Sequence, residues 1–325
     1  MKRRDVLKAV SAAAVTGFGP RARAETWPTR PIRLISPYAP GGIVDIIARL
    51  LGDELGRTLG QPFVVDARPG AGGNIGTAFV ARAHGDPYTL LLGASGPLAI
   101  IMALYPEIGY DPQRDFAPIS LLAATPLVLV VSSASGLNTV QDLTRRLKES
   151  AQPVPYGSAG IGTPQHLAGE LFKQKTGLEA THISYKGGAP AVLAVLSGEV
   201  VYAFENLALV DQHIKSRRLT ALAVTSPART AQLPEVPTMI ESGVPSFEAR
   251  GWYGLLAPSG IAPEVVHRLS VETMAAARRP KVQQVIASFG SEIVADGPES
   301  FANLIESERR KWAAIVKTAN ITLKG

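Results

Sequence analysis

The chain has no cysteine. That removes disulfides, thiol nucleophiles and cysteine metal ligands, and it is compatible with an exported protein that relies on core packing alone. Histidine is scarce. The five present (His84, His166, His182, His213, His267) are scattered, with no H-x-x-x-H or similar ligand spacing for a metal. No G-x-S-x-G elbow exposes a serine on a strained strand end, and Ser158 and His166 lie across a turn from one another, so a hydrolase is poorly supported. A long unbroken apolar run is also missing. The nearest approach, Thr89 to Tyr105, is interrupted by Gly93, Gly96 and Pro97 and reads as a buried strand, a loop and a helix. No solenoid-period repeat and no low-complexity tract occurs.

Excess charge is absent too, once the leader is removed. Lys2-Arg3-Arg4 is a basic head, Ala9 to Gly19 a short apolar run, and Ala22-Arg23-Ala24 a cleavage site. Residues 1–24 therefore read as a cleaved export signal, by the Sec or the twin-arginine route; Arg3-Arg4-Asp5-Val6-Leu7-Lys8 resembles the latter's motif. The formal net charge of +6 falls to +1 without that leader, leaving 27 basic and 26 acidic residues. Nucleic-acid binding thereby loses its compositional support. Roughly 300 remaining residues can bury a large core, as two domains.

What is present is a rhythm of short apolar strands and helices. Ile32 to Ser36 leads into a helix over 44–59, and Phe63 to Asp66 into a second through Ala83. Strands follow over 89–93, 128–132, 154–156, 182–185, 200–204 and 219–225. Helices over 263–278, 281–288 and 298–319, with a short strand over 292–294, complete the chain. This alternation predicts an α/β fold with largely parallel sheets, which also accounts for the unbroken apolar run Leu127 to Val131.

Three glycine-rich strand-to-helix turns recur: Pro37 to Gly42, Pro69 to Gly76, and Gly157 to Thr163. Ligands in open α/β sheets sit at such turns. The third opens a helix at Thr163-Pro164, a good N-cap followed by a good first-turn residue. Free amides and the positive dipole end make an anion seat there, and the turn carries no Lys, no Arg and no Walker pattern. A carboxylate suits it better than a triphosphate. Gly70 to Gly76 superficially matches a dinucleotide fingerprint, but its spacing is wrong and no acid follows where the ribose needs one. Asp45 suits a dipole role at its helix start as well as it suits ligand contact. Trp252-Tyr253 reads as core or hinge packing.

Taken together and in order, Trp27 to Ile32, Pro37 to Asp45, Pro69 to Gly76, Tyr156 to Phe172, Tyr185 to Pro190, Leu222 to Ser226, Leu233 to Thr238 and Trp252 to Leu255 resemble the Bug/TctC family of tripartite tricarboxylate transporter receptors. The resemblance covers essentially the whole mature chain. It implies a two-lobed, type II periplasmic-binding-protein fold, with 25–122 and 252–325 forming one lobe and 123–251 the other. It further implies a periplasmic monomer that binds a small carboxylate between the lobes, without cofactor or metal and without catalysis, and hands it to membrane transporter subunits. A receptor signalling to a sensor kinase remains an alternative. The site implied is Tyr38, Gly42, Ser158, Ala159, Gly160, Gly162 and Thr163, with Asn74, Ser95, Lys186, Gly187 and Glu205 as further contacts.

The chain departs from the family pattern in two places. Gly198 to Asn206 stands where the family reads like G-E-V-D-x-x-F-D-N, so Val201 replaces an Asp and Glu205 is one methylene longer than the second acid. Ile101-Met102 stands where Asn-Pro is frequent. If those positions meet the ligand's far end, the pocket is more apolar there, which suits an aliphatic or aromatic carboxylate without an amino group.

Overall fold

The computed structural model describes residues 27–105 and 108–321. The export leader expected over 1–24 lies outside them. Strand β1 (Ile32–Ser36) runs into α1 (Ile43–Leu59), β2 (Phe63–Ala67) into α2 (Asn74–Ala81), and β3 (Thr89–Ala94) into a π-helical turn and the short α3 (Ile101–Leu104). The long strand β4 (Phe116–Ser132) follows. Next come α4 (Val140–Glu149), β5 (Val154–Ser158), α5 (Pro164–Thr176), β6 (Ala180–Ser184), α6 (Gly188–Ser197), β7 (Tyr202–Asn206), α7 (Leu207–Lys215) and β8 (Leu219–Val224). The chain then returns through β9 (Arg250–Pro258), α8 (Pro263–Ala277), α9 (Pro280–Ser288), β10 (Glu292–Asp296) and α10 (Pro298–Thr318).

Local sequence explains the elements. Helix α4, for example, is capped by Thr139, whose side chain accepts the Asp142 N–H while the Asp142 carboxylate accepts the Thr139 N–H. Its Val140, Leu143 and Leu147 fall on one buried face and its charged residues on the other.

Strand β4 organises the molecule. Its first part, Phe116 to Pro126, pairs antiparallel with β9 and β10; its second, Leu127 to Ser132, pairs antiparallel with β7 and β8. A further ladder extends from each part: β9 pairs antiparallel with β3, which continues in parallel to β1 and β2, and β7 continues in parallel to β5 and β6. Two lobes result, each with its own sheet and helices on both faces. The largely parallel sheet expected from the strand-helix rhythm is therefore mixed, with antiparallel strands at its centre.

The apolar run Leu127 to Val131 is buried for a different reason than parallel pairing. Leu127, Leu129 and Val131 point into the core shared with α4 and α5, while Val128 and Val130 point into the core under α6 and α7. Burial on both faces removes the alternation that a half-exposed antiparallel strand shows. The strand begins well before the Val128 start expected from sequence, and it runs through Pro118 and Pro126, residues that ordinarily argue against a central strand. Pro118 is tolerated at a break in register against β9, and Pro126 falls where the strand passes from one sheet to the other.

At that passage Thr225 ties two crossing segments together. Its fully buried Oγ1 accepts the Leu127 N–H at 2.8 Å and donates to the Ala249 carbonyl at 2.6 Å. Among the described residues, no helix is long and apolar enough to cross a membrane.

Candidate functional site

In the first lobe, β1 ends in the loop Pro37 to Gly42. Gly76 of α2 allows that loop to lie where it does: a Cβ there would stand 2.8 Å from the Pro37 Cα and 2.9 Å from the Arg68 carbonyl oxygen. The far end of the loop is held by Asp45, whose carboxylate accepts the Gly41 N–H at 3.1 Å and pairs with Arg49 at 3.0 Å. The Arg49 hydrogen bond holds the Asp45 carboxyl below its usual range against the opposing effect of burial. Asp45 thus closes the loop onto its own helix. Gly42, the residue before α1, has no side chain to cap it, so the first-turn amides stay available to a guest.

In the second lobe, β5 ends in the turn Gly157 to Thr163. Thr163 accepts the His166 N–H and donates to the Gly160 carbonyl at 2.7 Å, fixing the start of α5. Gly160 and Gly162 take φ of 138° and 78°, which only glycine adopts without strain. The Gly187 N–H donates to the Ala159 carbonyl at 3.1 Å and braces the turn from the β6 side.

Behind this turn lies a largely buried polar cluster, with His182 at its half-buried edge. Ser158 Oγ sits 2.6 Å from His182 Nε2. His166 Nδ1 accepts the Gly162 N–H at 3.1 Å, and the two imidazoles stack with centroids 3.9 Å apart. Burial pushes both histidines down to about 4, so they are neutral at physiological pH. Ser158 is fully buried, and its histidine partner is His182 rather than the His166 weighed from sequence. A nucleophile that no substrate reaches is a structural one.

The two lobes face each other across a cavity of about 320 Å³. One wall is Tyr38, Gly42, Ile43, Val44 and the end of β3 at Ala94, Ser95 and Gly96; the other is Pro164, Gln165 and Asn206. Leu127, Gly251 and Tyr253 come from the crossing strands. No lining residue is charged. The starts of α1 and α5 both reach the cavity, and α7 begins directly after Asn206, whose side chain does not cap it. Burial raises the phenols of Tyr38 and Tyr253 above the ordinary tyrosine value, so both stay protonated donors. A concave, uncharged site ringed by amides, hydroxyls and helix starts is suited to a small anion.

Of the residues expected from sequence, Tyr38, Gly42 and Ser95 line this cavity. Ser158, Ala159, Gly160, Gly162 and Thr163 form the turn and cap behind it, and present the next two residues, Pro164 and Gln165. Asn74 instead accepts the Tyr110 hydroxyl at 2.9 Å, Lys186 is exposed, and Gly187 braces the turn. Glu205 is buried behind Gln165, its Oε2 3.5 Å from Gln165 Nε2. Val201 precedes β7, at the opposite end from Asn206, and neither it nor Ile101-Met102 lines the cavity.

Sequence reasoning missed Gln165, Asn206, Leu127 and Tyr253. Strand alternation carried a signal for Tyr253: Trp252 turns into the core, edge-on to Phe301, so its neighbour turns to the cavity. Tyr253 therefore lines the cavity in addition to packing against the core, beyond the core or hinge packing expected from the sequence. Among the described residues, no group of three or more His, Asp or Glu stands close enough together to hold a metal ion.

Residues 47–321 match the family model described as tripartite tricarboxylate transporter family receptor, TctC. The chain is 38% identical to protein BugT of Bordetella pertussis over 312 residues, 96% of each chain. An R. palustris protein solved with adipate is 33% identical, with a TM-score of 0.76 over 91% of this chain and 99% of that one. MatC from Rhodopseudomonas palustris, solved with bound malate, is 27% identical, with a TM-score of 0.72 over 89% of this chain and 99% of that one.

Proposed function

The chain belongs to the tripartite tricarboxylate transporter receptor family, TctC, and on that footing we propose that it is a periplasmic receptor for a small organic carboxylate, which it delivers to membrane transporter subunits. The observation that carries this reading is the uncharged interlobe cavity with the starts of α1 and α5 at its walls. Helix-start amides and neutral hydroxyls stabilise a carboxylate without the deep electrostatic well that an Arg pair creates. The grip is accordingly reversible, as delivery requires. Relatives solved with adipate and with malate support the ligand class.

The ligand proposed is an aliphatic or aromatic acid without an amino group. An ammonium in this cavity meets no lining carboxylate, and burying it unpaired is strongly unfavourable. The receptor works as a monomer whose lobes close by rotation about the crossing strands.

A thermal-shift screen of the mature protein over mono- and dicarboxylates tests the proposal. Adipate, malate or a related acid should raise Tm in a concentration-dependent way, with no turnover of the ligand. A response confined to aspartate or glutamate refutes the ligand assignment. No response to any carboxylate refutes the receptor reading itself.

A further inference from the structure

Glu205 lies on β7 directly before the cavity residue Asn206, with no exposure to solvent. Its Oε1 has no hydrogen-bond partner, and Oε2 has Gln165 Nε2 at 3.5 Å, the outer limit of a hydrogen bond. Gly188, at the start of α6, presses on the carboxyl so closely that a Cβ there would stand 2.7 Å from Oε2. The group is thus confined against one polar side chain, and that side chain lines the cavity.

Gln165 has two ways to satisfy this contact. Facing an ionised Glu205, it must donate with Nε2, which leaves Oε1 for the cavity. Facing a protonated Glu205, it accepts the proton with Oε1, which leaves Nε2 for the cavity. The two states differ by a half-turn of one amide group, yet they present opposite chemistry to a guest. A carboxylate needs the donor.

We propose that Glu205 is a positioning residue that sets which end of the Gln165 amide meets the ligand, so that carboxylate binding is coupled to proton uptake at Glu205. The inference rests on the carboxylate reading above. Burial pushes Glu205 up to about 7, and the long Gln165 contact and the nearby Asn206 N–H offset this only weakly. No charged side chain counters that. His166 on α5 is neutral and turned to Gly162 and His182. Lys186 before α6 is exposed, and Tyr185 beside it is bonded to Glu199. Asp211 on α7 is paired with Lys215, the β4 partner is Val128, and the cavity offers neutral Tyr38 and Tyr253.

The test is calorimetry on the mature protein between pH 6.5 and 8.5, where adipate is fully ionised, in buffers of different ionisation enthalpy. The probe is adipate, or the carboxylate with the largest thermal shift in the screen. Wild type should take up close to one proton on binding at pH 8 and lose affinity towards tenfold per unit above about pH 7. Glu205→Gln, permanently neutral, should bind with neither slope nor uptake. Gln165→Leu, with Glu205 intact, should also lose the slope, and it serves if the first variant fails to fold. A wild-type affinity blind to pH, or a Glu205→Gln variant that keeps the slope, overturns the coupling while leaving the receptor reading in place. Failure of every carboxylate to bind overturns both.

Discussion

Replacing Gly76 by alanine adds one methyl group, and its effect can be worked out from its neighbours. In an exposed helix this change stabilises by about 1 kcal/mol, because glycine has more backbone freedom to lose. Here the new Cβ would meet the Pro37 Cα at 2.8 Å, the Arg68 carbonyl oxygen at 2.9 Å and the Pro37 Cβ at 3.1 Å. None of these atoms is the end of a flexible side chain. The Arg68 N–H is itself bonded to the Ser36 carbonyl at 2.8 Å, so the two strand ends cannot part without losing that bond. Overpacking of this kind opposes folding by about 1–3 kcal/mol, and rigid surroundings place it at the upper end. The net expectation is a loss of about 1–2 kcal/mol and a fall in Tm of several degrees. Gly56 in α1 is the internal control. A Cβ there meets nothing closer than the Gln61 carbonyl oxygen at 3.4 Å, so Gly56→Ala should stabilise. Urea denaturation of both variants gives the signs directly. Ligand affinity should fall in Gly76→Ala alone, since Pro37 opens the loop that carries Tyr38 and Gly42 to the cavity. Gly76→Ala as stable as wild type, or moving in the same direction as Gly56→Ala, refutes the close-packing account.

Four further outcomes are expected. Thr163→Ala removes the cap of α5 and should lower stability by about 1 kcal/mol, with a further loss of affinity because Pro164 and Gln165 lose their anchor; urea midpoints and ligand titration separate the two, and an unchanged midpoint contradicts the cap. Tyr253→Phe deletes one cavity donor and should weaken carboxylate binding by roughly ten- to a hundred-fold with little change in Tm, following the typical worth of a hydrogen bond to a charged group; equal affinity shows that the phenol does not touch the ligand. The histidine pair should make the protein acid-sensitive. Both are held at about 4 when folded against 6.5 when free, so their stabilisation is complete above pH 6.5 and is lost as pH falls towards 4, on the order of 3 kcal/mol for His166 and less for the partly solvent-screened His182. Glu205 acts in the opposite sense, since a raised carboxyl loses stability as pH rises from 4.5 to about 7; Glu205→Gln should therefore steepen the rise of stability with pH, and a flatter profile contradicts the assignment.

How far the sequence spoke depended on whether a feature was local. The turns around Gly41, Gly72 and Gly160 were legible because glycine before a helix has few other uses, and the cap at Thr163 acts within four residues of itself. Gln165 gave no such sign. An amide in the first turn of a helix is ordinary until the fold aims it at a cavity. Leu127 was hidden by long-range pairing, because it reaches the cavity only where β4 passes between the two sheets. The true length of β4 was masked by Pro118 and Pro126, whose lost donors are absorbed at a register break and at the passage between sheets. Ser158 and His182 show the reverse case. Residues with catalytic chemistry lie within hydrogen-bond distance, and burial agrees with the missing serine elbow that they serve the turn.

The clip at Thr225 has a mechanical consequence. Segments joining two moving bodies are usually loops, and ordering a loop on closure uses up part of the free energy that a ligand supplies. Here the lobes share the unbroken strand β4, pinned beside its partner segment by one buried hydroxyl. Under the closure proposed above, such a joint would act as a torsion spring. It would store small rotations in many slightly altered dihedrals and leave no disordered state to be frozen out, so that a weakly held guest would retain enough free energy to keep the lobes together.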